Sequence, residues 1–348
     1  MESVSFDTLT FDHPAARKPA RVSATLHLPE DRPAPFPCMV ILTSSAGVQR
    51  HREHYYADLL NRVGAAALIV DSFTGRGVRR TVADQTLVSA AQMEGDAFAA
   101  LTLLRADPRI DPARIGIMGV SKGGVATLNA AIAVRQRWRN GFPHLFELHV
   151  AICPGATAQH RDPTTHGRPM YLMLADKDDY TPAHLAIEYA ERMRAAGNDR
   201  IKVKVYGSAH HGWESLGPVF DIKDAENWSA CRNFIEDDGR HFVPCVGRAM
   251  AEPEFQAWAR QNCVTRGARA GGGTAALKER ASADLIGCLS GSSLIARLTG
   301  RMTHQSVVGS VRSTALCGPF ARPSPTDKSE SGFSDQDCRF SRTFLAVP

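Results

Sequence analysis

Two hydrophobic patterns take turns along residues 3–206. Residues 3–10 and 21–28 alternate apolar and polar positions, the period of a strand with one wet face, and suit an antiparallel hairpin at a sheet edge. Residues 38–42, 65–70, 115–118, 150–153 and 171–174 are instead short, continuous apolar runs, as expected of strands covered on both faces. Residues 201–206 alternate again. Stretches of helical period fall between these runs, at 54–63, 84–105, 123–138 and 182–196. The last has Thr181 as N-cap, Pro182 in its first turn and Gly197 as its stop. Strands alternating with helices predict an α/β fold with a mostly parallel sheet and helices on both faces. Residues 222–239 read as a helix that closes this core, and 252–260 and 275–289 as two later helices.

One strand-to-helix junction carries chemistry. Ile115, Ile117 and Met118 lead into Gly119-Val120-Ser121-Lys122-Gly123, and a helical run follows. G-x-S-x-G in that setting is a nucleophile elbow: the serine sits on so tight a turn that side chains two residues away would collide, and glycines relieve the crowding. Such a serine needs a base and an acid, in the chain order Ser, Asp, His. The strand run 171–174 ends in a loop holding Asp176, Asp178 and Asp179, and the run 201–206 ends in one holding His210 and His211. Loops at carboxyl ends of strands are where open α/β sheets place functional groups. The amide of Lys122 points at the same space by position, as one donor of an oxyanion hole. The loop after residues 38–42 offers the second, with Ser45 favoured and Ser44 next. Tyr180, Trp213, His160 and His166 sit on loops expected above the site, as pocket-shaping residues. Asp71 and Arg76 are expected to pair and brace a loop beside it.

Composition removes other classes. Among 348 residues, 43% are hydrophobic and 22% charged, with a net charge of +5, as in an ordinary globular protein. The basic residues form no stripe with interleaved aromatics, so a nucleic-acid partner is not expected. No apolar run approaches the roughly 20 residues of a membrane span, and no leader is visible, which predicts a soluble, cytoplasmic protein without membrane contact. His51 and His54 lack the spacing of a metal motif, and the eight cysteines contain no C-x-x-C pair, so no metal is expected. Cys231, Cys245 and Cys263 are candidates for a disulfide in an exported protein.

The elbow, Leu68-Ile-Val-Asp-Ser-Phe-Thr-Gly-Arg-Gly77, Asp178-Asp-Tyr-Thr-Pro182 and Ala209-His-His-Gly-Trp213 together resemble the dienelactone hydrolase family over roughly residues 20–290. The resemblance implies an α/β-hydrolase fold and a hydrolase needing no cofactor. The family's aspartate four residues before a proline selects Asp178, and its histidine before glycine-aromatic selects His211. The enzyme that names the family has cysteine as nucleophile where this chain has Ser121, which favours its serine esterase members. The expected activity is hydrolysis of a small carboxylic ester or lactone through an acyl-enzyme. The alternatives are an acyl-CoA thioesterase, suggested by Ser-Lys-Gly-Gly, and a non-catalytic binding scaffold. The chain divides into a catalytic domain over 1–240, a helical extension over 241–298 packed on it, and a serine- and arginine-containing tail over 299–348 expected to be disordered. The oligomeric state is left open.

Overall fold

The fold is known from a computed structural model, which describes residues 1–13, 16–139, 143–292 and 294, with side chains described outside 9–18. The expected tail, 299–348, lies outside the described residues. β1 (Glu2–His13) and β2 (Ala16–His27) form the antiparallel hairpin. Next come β3 (Phe36–Leu42), β4 (Ala66–Asp71), β5 (Ile110–Val120) and β6 (His149–Ile152). A short β7 (Ala158–His160) stands apart from the main sheet, which β8 (Met170–Ala175) and β9 (Ile201–Tyr206) complete. The order across that sheet is β1-β2-β4-β3-β5-β6-β8-β9, and the strands from β3 onward are parallel. The chain leaves β3 toward β4 on one side and β5 toward β6 on the other. The carboxyl ends of β3 and β5 therefore flank the switch point, where doubly wound sheets hold their ligands.

The continuous apolar runs are explained by two buried faces. In β3, Met39 and Ile41 pack on one side with α1 (Tyr55–Arg62), while Cys38, Val40 and Leu42 pack on the other with α2 (Ala90–Ala106). α3 (Lys122–Ala131) and, after the short α4 (Ala133–Trp138), α5 (Ala183–Ala195) continue the second side. The first side is closed by Leu277, Leu285 and Leu289 of a later helix. Among the described residues no helix is long and apolar enough to cross a membrane.

Four expectations are corrected. The helix expected over 84–105 begins at Ala90. Ser89 caps it, its Oγ accepting from Gln92 N (3.1 Å) while Gln92 Oε1 accepts from Ser89 N (2.8 Å), and this frees residues 81–88 as a loop. The helix over 123–138 is broken at Ile132, which turns extended and pairs with Thr165. Thr181 does not cap α5; Pro182 holds that position, and no side chain supplies a cap bond. Residues 222–239 are not a helix. After β10 (Val219–Asp221) they form β11 (Glu226–Asn227) and β12 (Asn233–Ile235), and β12 pairs with β7. Partners distant in sequence decide that segment, overriding its helical period.

The segment expected as a helical extension, 241–298, holds short strands as well as helices. β13 (His241–Val243) and β14 (Arg248–Met250) extend the β12–β7 sheet. α6 (Glu252–Asn262) follows, then β15 (Thr265–Arg266) and β16 (Arg269–Gly271), and finally α7 (Ala275–Ser290). Cys231 and Cys263 form a disulfide. Cys231, Val243, Met250, Phe255 and Ala259 make a small core separate from the main one.

Candidate active site

Ser121 stands between β5 and α3 with φ 55° and ψ −115°, a backbone state that costs free energy and persists only where surroundings enforce it. The flanking glycines show the enforcement. A Cβ on Gly119 would lie 2.3 Å from the Gly123 carbonyl, and one on Gly123 would lie 2.6 Å from the carbonyl oxygens of Leu42 and Thr43. Ser121 N donates to Ile152 O at 2.8 Å, which ties the turn to β6. Ser121 lines a cavity of about 240 Å³ together with Ser45, Lys122, Tyr180 and Thr181.

Asp178 and His211 meet at the ends of β8 and β9. His211 Nδ1 lies 2.8 Å from Asp178 Oδ2. Asp178 is fixed by its own loop: Oδ1 accepts from Tyr180 N (2.9 Å) and Thr181 N (2.7 Å), and Thr181 Oγ1 lies 2.8 Å from Oδ2. That hydroxyl is also 3.1 Å from His211 Nδ1 and 3.0 Å from the Cys153 carbonyl, the role it takes in place of capping α5. Tyr180 sets its ring edge-on to His211, centroids 5.1 Å apart. Asp176 turns away and accepts from Ala209 N, and Asp179 binds Arg269. Among the described residues no hydrogen bond joins Ser121 to His211, whose ring contacts are those to Asp178 and Thr181.

Burial disfavours an imidazolium at His211, but the charge and hydrogen bond of Asp178 and the charge of Glu214 outweigh it, so its pKa lies above the ordinary value. Burial pushes the Asp178 carboxyl up; His211 and the Thr181 bonds prevail and hold it below its ordinary range. Glu214 is buried behind the pair, with Oε1 accepting from Tyr56 Oη at 2.9 Å. Cys153, at φ 42°, brings its thiol within 4.8 Å of the Asp178 and His211 ligand atoms. Burial, then the charges of Asp178 and Glu214, push that thiol well up, which disfavours the thiolate that a metal would require.

Lys122 presents both its amide and its side chain near the cavity. Its amide is the first of α3, and neither it nor the Ser45 amide donates to a carbonyl in the turns and caps of the described residues. Its buried Nζ donates to Thr81 Oγ1 (2.7 Å), Gln85 O (2.8 Å) and Val88 O (2.8 Å), lashing the 81–88 loop over the cavity. Burial drives this ammonium down to about 7, against the opposing pull of Asp84 and Glu226. Ser45 Oγ donates to Gln85 Oε1 (2.9 Å), and Gln85 Nε2 donates to Tyr180 Oη (2.7 Å). Ser44 is buried beside Ser45 and accepts from Ala46 N through Oγ, outside the cavity lining.

Three expected pocket residues lie elsewhere. Trp213 is fully buried in the main core against Tyr206, because its ring packs under the sheet end. His160 is buried near Trp138, its amide donating to Tyr189 Oη. His166 lies beside Arg139. Nor does Asp71 pair with Arg76. Asp71 accepts from the Phe73 and Thr74 amides, while Arg76 binds Asp96 of α2 through two bonds of 2.7 and 2.8 Å. What the sequence did not reveal is the rest of the lining, including Gln85, Glu226, Trp228, Asn233, His241, Glu252 and Phe255. Single residues of an aperiodic segment carry no signal for this in one sequence.

The model of the dienelactone hydrolase family matches residues 22–236, well over half of the chain. No curated protein matches by sequence. Similar solved structures include Est1E from Butyrivibrio proteoclasticus, at 14% identity and TM-score 0.42, covering 55% of this chain and 86% of that one. Thermogutta terrifontis esterase 2 phosphorylated by paraoxon shows 17% identity and TM-score 0.45, covering 59% and 84%. An α/β hydrolase enzyme from a Medee basin deep-sea metagenome library shows 17% identity and TM-score 0.43, covering 56% and 79%. With the parallel sheet, the strained serine turn and the family match in hand, the chain belongs to the dienelactone hydrolase family and is a carboxylic ester hydrolase of the α/β-hydrolase fold.

Proposed function

We propose that Ser121, His211 and Asp178 form a catalytic triad that hydrolyses a small neutral carboxylic ester or lactone through an acyl-enzyme. The observation that carries this is the strained Ser121 turn opening into a cavity, with a buried histidine–carboxylate pair on the neighbouring strand ends. Ser121 Oγ attacks the ester carbonyl while His211 Nε2 takes its proton. The oxygen that becomes negative is received by the amides of Lys122 and Ser45. Collapse of the tetrahedral species breaks the bond to the alcohol, which leaves with the proton from His211. Water, deprotonated by the same ring, then attacks the acyl-enzyme and frees the acid and Ser121. Asp178 fixes the proton on Nδ1 and stabilises the imidazolium, in line with the raised His211 and lowered Asp178 values.

The test is a rapid-quench experiment with p-nitrophenyl acetate. A burst of one nitrophenolate per active site, with one acetyl group mapped to the Ser121 peptide, is expected. Turnover without any acyl-protein would contradict the covalent route.

A further inference from the structure

The two amides proposed to receive the oxyanion follow different strands, Ser45 after β3 and Lys122 after β5, and each must be held to a fraction of an ångström to meet the charge. The Lys122 amide is fixed by its place at the start of α3. The Ser45 amide lies in a loop, and contacts that hold this loop come from residues 81–88. Thr81 N donates to the Ser45 carbonyl at 2.8 Å, and Ser45 Oγ donates to Gln85 Oε1 at 2.9 Å. Thr81 and Gln85 are in turn gripped by one atom, Lys122 Nζ, 2.7 Å from Thr81 Oγ1 and 2.8 Å from Gln85 O. The side chain of the residue that carries one donor therefore holds the two residues that hold the other.

Gln85 has its backbone and both ends of its carboxamide engaged. Beyond the bonds to Ser45 and Lys122, its N donates to Glu226 Oε2 at 2.6 Å and its Nε2 to Tyr180 Oη at 2.7 Å. Tyr180 belongs to the loop that fixes Asp178, so the carboxamide links the loop after β3 to the loop after β8 beside the cavity. A hydroxyl stands at each end of that carboxamide, and hydroxyls donate or accept, so the bridge persists with the amide turned either way. The grip of Lys122 likewise persists in both protonation states, because the Thr81 hydroxyl can turn and donate to a neutral amine. We propose that Gln85 and the Lys122 side chain are positioning residues that set the Ser45 amide against the Lys122 amide and so shape the oxyanion hole. This rests on the Ser121 hydrolase reading above.

The experiment compares the wild type with Gln85→Met, which keeps the side-chain length and removes both ends of the bridge, on p-nitrophenyl acetate and on a trifluoromethyl ketone. The ketone becomes an oxyanion when Ser121 adds to it, so its affinity reads the hole, while KM reads binding of the ground state. In Gln85→Met, kcat is expected to fall by roughly 10–100-fold and ketone affinity by a similar factor, with KM changed by less than about threefold. Lys122→Met keeps its amide and is expected to show the same split together with a lower Tm, since Gln85 O and Val88 O lose their donor. Ser45→Ala removes the contact to Gln85 from the other side and leaves the amide in place. It is expected to repeat the split, and Gln85→Met/Ser45→Ala to lose little more than the worse single variant. Should Gln85→Met fail to fold, Ser45→Ala and Tyr180→Phe each break one bond of the bridge and carry the test. An unchanged kcat, a rise in KM alone, an unchanged ketone affinity, or losses that multiply in the double variant overturns the assignment. Fluorophosphonate labelling of Ser121 in the wild type, run alongside, separates this from failure of the hydrolase reading. Labelling with unaffected variants sinks the positioning role alone, whereas no labelling and no turnover sinks both.

Discussion

Ser45, Ser121 and Lys122 hang from the ends of β3 and β5, strands buried on both faces in the middle of an eight-stranded sheet. Asn233, His241, Glu252 and Phe255 line the same cavity from two three-residue strands and one helix, held by a five-residue core and a disulfide. The first group is positioned by the bulk of the fold, so its geometry is as stable as the protein itself. The second is a local structure of few contacts, the kind that opens at less cost than the global fold. The contrast teaches a division of labour: a rigid sheet edge suits chemistry that tolerates little displacement, and a small separate layer suits selection of what enters.

Breaking the sheet-edge group should cost most. Ser121→Ala and His211→Ala are each expected to lower kcat by roughly 10⁴–10⁶, and the double variant little further, because the two act as one unit. Steady-state kinetics checks this, and multiplicative losses would show that they act separately. Gly123→Ala comes next. Its methyl meets two backbone carbonyl oxygens that cannot move without displacing β3, so a loss of about 3 kcal/mol in unfolding free energy is expected, with activity falling in parallel. Chemical denaturation measures it.

Little of the small layer was legible in the sequence, and the reasons are physical. The elbow could be found because sterics force a glycine at 119 and at 123, and the acid and base because their loops must follow strands. Residues 84–88 read as helix because Leu87 and Val88 continue the helical period, whereas the true start is set by a side-chain cap at Ser89. Residues 222–239 were read as helix because pairing with β7 and bonding to Cys263 depend on residues far along the chain. Thr181 carried a plausible cap signal before Pro182, yet its hydroxyl faces Asp178 and His211. Trp213 sat in a loop next to the base, and only packing reveals that it points into the core.

Perturbing the small layer sharpens the comparison. Cys231→Ser/Cys263→Ser, or reduction, removes a closure across a sequence separation of 32 residues and is expected to lower stability by about 3 kcal/mol. If the layer selects substrate, KM should rise more than kcat falls. An equal loss in kcat would mean that the layer also positions the sheet-edge residues. The smallest expected effect is electrostatic. His211 must be neutral to act as base, and its pKa is raised, so activity should fall with decreasing pH through a value above the ordinary imidazole range. Glu214→Gln removes one of the charges that raise it, so the acid limb of the kcat/KM profile should move to lower pH. A limb that stays in place would show that Glu214 does not act on His211.

The central claim is that Ser121 is the nucleophile, and it is tested most directly by peptide-mapped mass spectrometry after treatment with a fluorophosphonate. The account predicts one adduct per chain, on the peptide containing Ser121, abolished in Ser121→Ala and slowed in Asp178→Asn. An adduct on another residue, or undiminished labelling of Ser121→Ala, would contradict it.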